Sequence, residues 1–275
     1  VNVAYEAATT DLDDDNVIDP FHLEAYGEVT VNYNRDVDTF PVLRAMMEKI
    51  FGRSAYQSPT DMGVNMVGNC ISDDAVCQEA GKSEVVRRFY TMSERIARTG
   101  QGEDELDKLR LLMREVGVDE NHDPAHVAAL LKEEVTGLPA AAMVLPDGSL
   151  VTGKTSELLG AASSLLLNAL KRVAGVAKRT YVVSDEALAP ISHLKTAHLH
   201  SRNPRLHTDE TLIALSISSA TNPEAERVIS ATSELKGCDA YFSVIISPTD
   251  EAIYRKLGIN VCCEPKFERR TFYHR

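Results

Sequence analysis

The sequence has no tryptophan, few aromatic residues and no long apolar segment. None of the 275 residues is Trp, and 6% are aromatic. A transmembrane helix needs roughly 18 consecutive apolar residues, and the most apolar stretch, 158–170, is interrupted by Ser163, Ser164 and Asn168. The first residues also lack the basic segment and apolar core of a signal peptide. We therefore expect a cytoplasmic protein with no membrane partner.

Cysteine is scarce and its spacing fits no metal or disulfide pattern. The five cysteines are Cys70, Cys77, Cys238, Cys262 and Cys263. An odd number without paired zinc spacing argues against a disulfide framework and against a zinc finger. Cys262 and Cys263 lie in the apolar run 259–263, which predicts a buried strand in which both act as small apolar side chains.

Positive charge is in deficit. The chain has 29 basic and 41 acidic residues, so its net charge is −12. Nucleic acids and anionic membranes bind positive surfaces, and neither is expected as a partner. A local basic pocket for a small anion remains compatible with this balance. With 44% hydrophobic and 25% charged residues, the composition is that of a globular protein rather than a disordered one.

Three regions follow from the patterning along the chain. Residues 1–68 are irregular, with one helix predicted after Pro41 and ending at Gly52. Residues 69–137 predict a helical subdomain with helices over 73–100, 105–116 and 124–135. Residues 138–275 predict a mixed α/β domain. The length is consistent with about two domains.

The last region alternates strand and helix signals. Residues 141–145 and 150–152 flank a Pro-Asp-Gly turn and predict a hairpin. A helix is expected over about 156–173, strands at 181–183, 241–246 and 259–263, and helices that begin near Thr208, Asn222 and Ser247. The order of strand, helix and strand at the end predicts a βαβ unit in a mixed sheet, and hence the α/β fold class.

The run from Gly148 to Thr155 fits the spelling of a phosphate-binding P-loop, G-x-x-x-x-G-K-[ST]. Leu150 and Val151 are strand formers, whereas a P-loop needs permissive residues between its glycines. The hairpin is therefore the preferred interpretation. A weaker hypothesis remains, in which Lys154, Thr155 and Ser156 bind an anion at the start of the following helix. Simple helix capping is the alternative.

Between 190 and 208 basic and polar residues concentrate. The segment contains His193, His198, His200, Arg202, Asn203, Arg205 and His207. Arginine forks with Asn and His donors suit a small anion, so Asn203, Arg205 and His207 are candidate ligands of one. A zinc site is disfavoured because two arginines would repel a cation, and a solvated loop is the other alternative.

The first region supplies the remaining candidates. Asp13 belongs to an acidic run with the oxygen ligands that Mg²⁺ prefers, although a solvated turn explains the run as well. Asp19 and His22 lie close together in sequence and form an acid/base candidate. Arg35 lies in a polar, irregular stretch typical of site-lining loops and is a further candidate anion ligand. No residue is assigned to a metal.

Several long strings carry a resemblance that extends along the whole chain. They are residues 4–9, 18–24, 31–36, 58–68, 151–158, 203–207 and 273–275. Through them the chain closely resembles the bacterial family called domain of unknown function 1846. Members are roughly twice this length, so the resemblance implies a C-terminal portion, consistent with the absent initiator Met. It also implies a Gly-rich, nucleotide-binding segment in the absent half, and hence ATP and Mg²⁺ as cofactors of the full-length protein. No catalytic residue transfers from it.

A weaker likeness concerns layout only. The hairpin followed by an Ala/Ser-rich helix is similar to the deaminase-like fold, but the zinc signature of that fold is missing. We hypothesise an enzyme module for a small anionic or phosphorylated metabolite, such as a nucleotide-dependent transferase. The alternative is a non-catalytic assembly or regulatory module. A homo-oligomer is expected in either case.

Overall fold

The computed structural model of this chain describes residues 74–268, together with Lys49, Ile50 and Gly52. Lys49 and Ile50 are helical, within the helix predicted after Pro41. The chain divides into two compact units, residues 1–122 and residues 123–275. The boundary predicted at residue 68 lies outside the described residues, as do Cys70 and the polar strings of the first region, and the three-part division stays a prediction.

In the first unit, two helices predicted from the sequence are present. Helix α1 spans Asp74–Thr99 and helix α2 spans Glu103–Val116. Their apolar stripes, spaced by three and four residues, are buried: the stripe residues are Val85, Val86, Phe89 and Met92 on α1, and Leu106, Leu109, Leu112 and Met113 on α2. Burial of these stripes is what stabilises a helix pair of this kind.

The second unit is a mixed α/β fold, as predicted. Its elements are α3 (Pro124–Thr136), β1 (Ala140–Val144), β2 (Leu150–Lys154), α4 (Ala161–Val173), α5 (Asp185–His193), a π-helical turn (Leu194–His198), α6 (Thr208–Ser219), α7 (Pro223–Ser230), a 3-10 turn (Ala231–Leu235), β3 (Asp239–Phe242), α8 (Pro248–Lys256) and β4 (Asn260–Cys263). No helix among the described residues is both long enough and apolar enough to cross a membrane.

The four strands form one sheet in the order β2-β1-β3-β4. Strand β1 is antiparallel to β2 and to β3, whereas β3 and β4 are parallel and joined through α8. The parallel pair confirms the predicted βαβ unit. Ser247 caps α8 by accepting a hydrogen bond from the Asp250 amide, and Pro248 occupies the first helical position, as the sequence indicated.

Helices cover both faces of the sheet. Successive strand residues point to opposite faces, and Tyr241 and Phe242 illustrate this in β3. The ring of Tyr241 contacts His126 of α3, with ring centroids 6.0 Å apart. The ring of Phe242 contacts Tyr254 of α8 at 5.3 Å. The sheet is therefore the middle of three layers, which explains why β1 is buried along most of its length.

The segment that spells a P-loop is the predicted hairpin. Gly148 lies in its turn with a φ of +76°, and Leu150–Lys154 is strand β2, paired with β1. Gly153 has a different role from the corner that its sequence context suggested. A Cβ atom there would lie 2.3 Å from the backbone nitrogen of Leu165 in α4. The missing side chain is what lets α4 pack closely on the hairpin.

One predicted strand and two predicted boundaries are wrong. Residues 181–183 form no strand, and the carbonyl of Tyr181 accepts a hydrogen bond from the Asn222 side chain at 3.3 Å instead. Strand β3 ends at Phe242 rather than at 246, since the Ile245 amide turns to the carbonyl of Lys266. Helix α4 begins at Ala161 rather than near Ser156.

The close approach at Gly153 gives a stability prediction. Replacing Gly153 with Ala forces α4 away from β2, and we expect a loss of about 1–3 kcal/mol in the free energy of unfolding, as for overpacked cores. Urea denaturation followed by circular dichroism measures it. Gly160→Ala is the matched control, because a Cβ there meets nothing within 4 Å. Equal stability of the two variants would contradict this account of Gly153.

Candidate functional site

The carboxyl ends of three strands meet at one end of the sheet. Lys154 closes β2 opposite Ala140, and the parallel strands β3 and β4 end side by side at Phe242 and Cys263. Open α/β sheets bind their ligands outside the carboxyl ends of parallel strands. The loop after β3 leads directly to Ser247 and Asp250 at the start of α8.

Two of the predicted anion-binding segments come together in this unit. Leu206, between Arg205 and His207, forms a parallel bridge with Leu159, and its amide donates to the carbonyl of Leu158 at 2.8 Å. The Ser163 hydroxyl of α4 donates to the carbonyl of Leu206 at 2.9 Å. The stretch that follows Lys154, Thr155 and Ser156 is thus held against the stretch that carries Asn203, Arg205 and His207.

The helix terminus proposed for Lys154, Thr155 and Ser156 is not there. These residues precede α4 by five positions or more, and Lys154 is the exposed last residue of β2. The Thr155 amide donates to the carbonyl of Pro139 at 2.8 Å, and the Ser156 amide donates to that of Leu159 at 2.9 Å. Both amides therefore already donate to backbone carbonyls and do not point at an anion site. Lys154 keeps its place as a candidate through its charge, not through a helix dipole.

Two cations of the His-rich segment, residues 190–208, have carboxylate partners. Arg205 Nη1 lies 3.2 Å from Glu268 Oε1, and both side chains are mostly buried. Lys195 Nζ lies 2.6 Å from Glu210 Oε2 and also donates to the carbonyl of Arg205 at 2.5 Å. Asn203 is buried and its side-chain oxygen accepts from the Arg205 amide at 3.1 Å. Asn203 therefore shapes the loop from within.

Asp250 is the centre of the most connected polar group near the sheet end. Its Oδ1 accepts from the amide of Thr208 at 2.8 Å and from the Thr208 hydroxyl at 3.1 Å. Its Oδ2 accepts from the Ser247 hydroxyl at 2.7 Å and lies 3.1 Å from Nδ1 of His207. Glu210 completes the arrangement by accepting from the His207 amide at 2.8 Å, which fixes the backbone of the residue that precedes α6.

The proximity of His207 and Asp250 shifts both pKa values. The pKa of His207 is raised above its ordinary 6.5, chiefly because of the hydrogen bond to Asp250, which outweighs the burial of the ring. Burial alone would raise the pKa of Asp250, but the hydrogen bond and charge of His207, with the bonds from Ser247 and Thr208, lower it. Ion-pair stabilisation is therefore present between the two shifted values. It is lost as pH rises through the pKa of His207 or falls through that of Asp250.

The geometry is that of an aspartate-oriented histidine rather than a serine nucleophile. In a Ser-His-Asp triad the serine and the aspartate bind opposite ring nitrogens. Here Ser247 Oγ lies 3.3 Å from Nδ1, the same nitrogen that faces Asp250, and Ser247 also caps α8. An aspartate at Nδ1 sets the tautomer of a neutral ring so that Nε2 is the basic nitrogen. Chemically, such a pair can accept and donate a proton at Nε2.

The candidates from the first region, Asp13, Asp19, His22 and Arg35, lie outside the described residues, so their roles stay predictions. The rings of His193, the last residue of α5, and His198, the last residue of the π-helical turn, have centroids 5.0 Å apart. Within residues 74–268 no group of three or more His, Cys, Asp or Glu side chains is arranged to hold a metal ion.

Sequence reasoning missed the partners that organise this region: Lys195, Glu210, Ser247, Asp250 and Glu268. One local signal was available for Glu210, which stands three residues after His207 where a capping box places Glu. Ser247 and Asp250 were recognised only as the cap and acidic first turn of α8. Their contacts with His207 and Thr208 span about 40 residues and have no local signature.

Two family models together match nearly the whole chain. The family model described as domain of unknown function DUF1846, N-terminal, matches residues 1–117, and the C-terminal model matches residues 121–273. The chain belongs to the DUF1846 family. The resemblance noted in the sequence is thereby confirmed, and the candidate residues of the second unit lie within the C-terminal family domain.

Relatives are found in several bacteria. A UPF0371 protein of Corynebacterium diphtheriae is 50% identical over 275 residues, which is 100% of this chain and 55% of the relative. One of Corynebacterium urealyticum is 49% identical with the same coverage. One of Streptococcus pneumoniae serotype 19F is 48% identical and 56% covered. The chain spans about half the length of the curated relatives it matches, and their names state no activity.

The ion pair gives a titration prediction. In Asp250→Asn, His207 loses the hydrogen bond and the charge that raise its pKa while its burial remains, so the pKa of His207 should fall. The ring signal of His207 in an NMR pH titration measures this. Asp209→Asn is the control, because it removes one carboxylate from the first turn of α6, where Asp209 accepts a hydrogen bond from the Glu210 amide and not from His207. Equal effects of both substitutions would contradict a specific role for Asp250.

Proposed function

We propose that the second unit of this DUF1846 chain is an enzyme module that binds a small anionic, phosphorylated metabolite at the carboxyl end of its sheet. His207 is its general acid and base, with Asp250 as the positioning residue. Lys154 and the segment 203–207 hold the anionic group. The arrangement that carries the proposal is the buried Asp250 carboxylate, bonded to His207 Nδ1 at 3.1 Å beside the ends of β3 and β4.

Charge and position support this assignment of roles. The chain has a net charge of −12, so cations held close to the sheet end are needed to attract an anion. Lys154 is exposed there, and Arg205 lies two residues before His207. Arg205 pairs with Glu268, and in this proposal it binds the ligand by sharing its guanidinium between that carboxylate and the anion, as its several donors allow.

Proton transfer is the chemistry that His207 supports. Its side chain is 20% exposed, while the Asp250 side chain is 11% exposed. The hydrogen bond to Asp250 raises the pKa of His207, so it favours the protonated ring that a general acid needs. The protonated ring also attracts an anion, so ligand affinity should rise as the pH falls through the pKa of His207.

Thermal unfolding with a ligand panel tests the binding site. The panel contains glycerol 3-phosphate, ribose 5-phosphate and phosphoserine. Glycerol, ribose and serine are the counterparts that lack the phosphate group. A ligand at about 100 times its Kd stabilises the folded chain by about 2.7 kcal/mol, or about 5–10 °C in Tm. We expect at least one phosphorylated compound to raise the Tm, and Lys154→Ala and Arg205→Ala to reduce the gain.

Lys256→Ala is the charge-matched control, since Lys256 is exposed at the far end of α8. Retention of the full Tm shift in both Lys154→Ala and Arg205→Ala would reject the site, and so would an equal loss in Lys256→Ala. His207→Gln tests the acid/base role separately. It should abolish the rise in affinity at low pH, and an unchanged pH dependence would reject that role.

A further inference from the structure

A second concave site lies at the other end of β2, against the last turns of α4. This cavity has a volume of about 570 Å³ and is lined by the start of β2, by the C-terminal half of α4 and by the loop 175–178. Asn168 of α4 bridges the two walls by donating to the carbonyl of Thr152 at 3.0 Å. None of the predicted site residues lines this cavity.

Lys171 is the unusual group in its wall. The residue is only 6% exposed, yet its ammonium group has no carboxylate partner among the described residues. It donates to the carbonyls of Lys178 and Thr180, the latter at 2.7 Å. Its pKa is lowered by burial and by the charge of Lys178. A buried cation without a counter-ion is costly, and an anion in the cavity would offset that cost.

The rest of the lining has the same sign. Eleven described residues line the cavity and none is acidic, while Lys171, Arg172 and Lys178 are all basic. Arg172 Nη2 lies 3.7 Å from Asp147 Oδ2, and both side chains are exposed at the rim of the cavity. Arg172 Nε also donates to the Ser149 hydroxyl at 3.3 Å. In a chain of net charge −12, three lysine and arginine side chains around one cavity favour an anion.

Shape and apolar surface narrow the ligand class. Leu150, Val151 and Val176 form part of the wall, so the ligand should have an apolar or aromatic body as well as its charge. A volume of about 570 Å³ lies within the roughly 300–1,000 Å³ range of small-molecule sites. Inorganic phosphate alone would leave most of that volume unfilled.

We propose that this cavity binds a phosphate monoester with a planar ring body, of the size of a nucleoside monophosphate. Lys171, Arg172 and Lys178 surround the phosphate, and the ring lies against Leu150, Val151 and Val176. The site is separate from the one proposed at the carboxyl end of the sheet. It shares no side chain with that site, so each proposal can fail alone.

Calorimetric titration of the 275-residue chain with AMP, UMP and phenyl phosphate tests the proposal, with adenosine as the uncharged counterpart of AMP. We expect at least one phosphate to bind and adenosine to bind at least roughly tenfold more weakly, as loss of a charge-assisted contact implies. Lys178→Ala should weaken the binding of the phosphate monoester roughly fivefold. It should not unfold the chain, because Lys178 is exposed. Lys171→Met should weaken it further.

Arg179→Ala is the matched control. Arg179 is an exposed cation next to Lys178 that does not line the cavity, so its removal changes the net charge equally and should leave the affinity unchanged. Three results would each overturn the proposal: no binding of any of the three phosphates at millimolar concentration, equal weakening by Lys178→Ala and Arg179→Ala, or weakening by Lys154→Ala but not by Lys178→Ala.

Discussion

The candidate site depends on the hydrogen bonds that the carboxylate of Asp250 accepts. It joins the first turns of two helices, accepting from Thr208 at the start of α6 and from Ser247 at the start of α8, and it also bonds to the ring of His207. Burying a carboxylate is unfavourable unless its oxygens are satisfied, and here four donors share the two oxygens. The arrangement therefore fixes helix positions and the orientation of one titratable ring together.

The hairpin and α4 set the position of the segment that ends in His207. Because Gly153 has no side chain, α4 packs directly on β2, and Ser163 of that helix holds the carbonyl of Leu206. The bridge between Leu159 and Leu206 holds the same segment as well. A site made from residues distant in sequence thus rests on backbone contacts that tolerate little change in side-chain volume.

A segment that is rich in basic residues does not have to be the part of the fold whose cations lack carboxylate partners. The His-rich segment contains the densest group of cations and histidines, but Lys195 and Arg205 are engaged by Glu210 and Glu268. Lys171, next to Arg172, lies in a helix without such a concentration of basic residues and histidines, and no carboxylate among the described residues pairs with its ammonium group. The three-dimensional distribution of carboxylates, rather than the count of basic residues, determines which cations have a carboxylate partner among the described residues.

The sequence by itself determined the local elements: the helix pair 74–116, the hairpin, the capped starts of α7 and α8, and the mixed α/β class. Apolar periodicity and capping residues act over a few positions, so they can be read directly from the chain. It also placed His207 among the candidates, but not its partner. Only the tertiary structure decided that Asp250, 43 residues further on, reaches His207, that α4 begins past Ser156, and that Lys171 lines a cavity. Those outcomes depend on long-range packing, which no local pattern encodes.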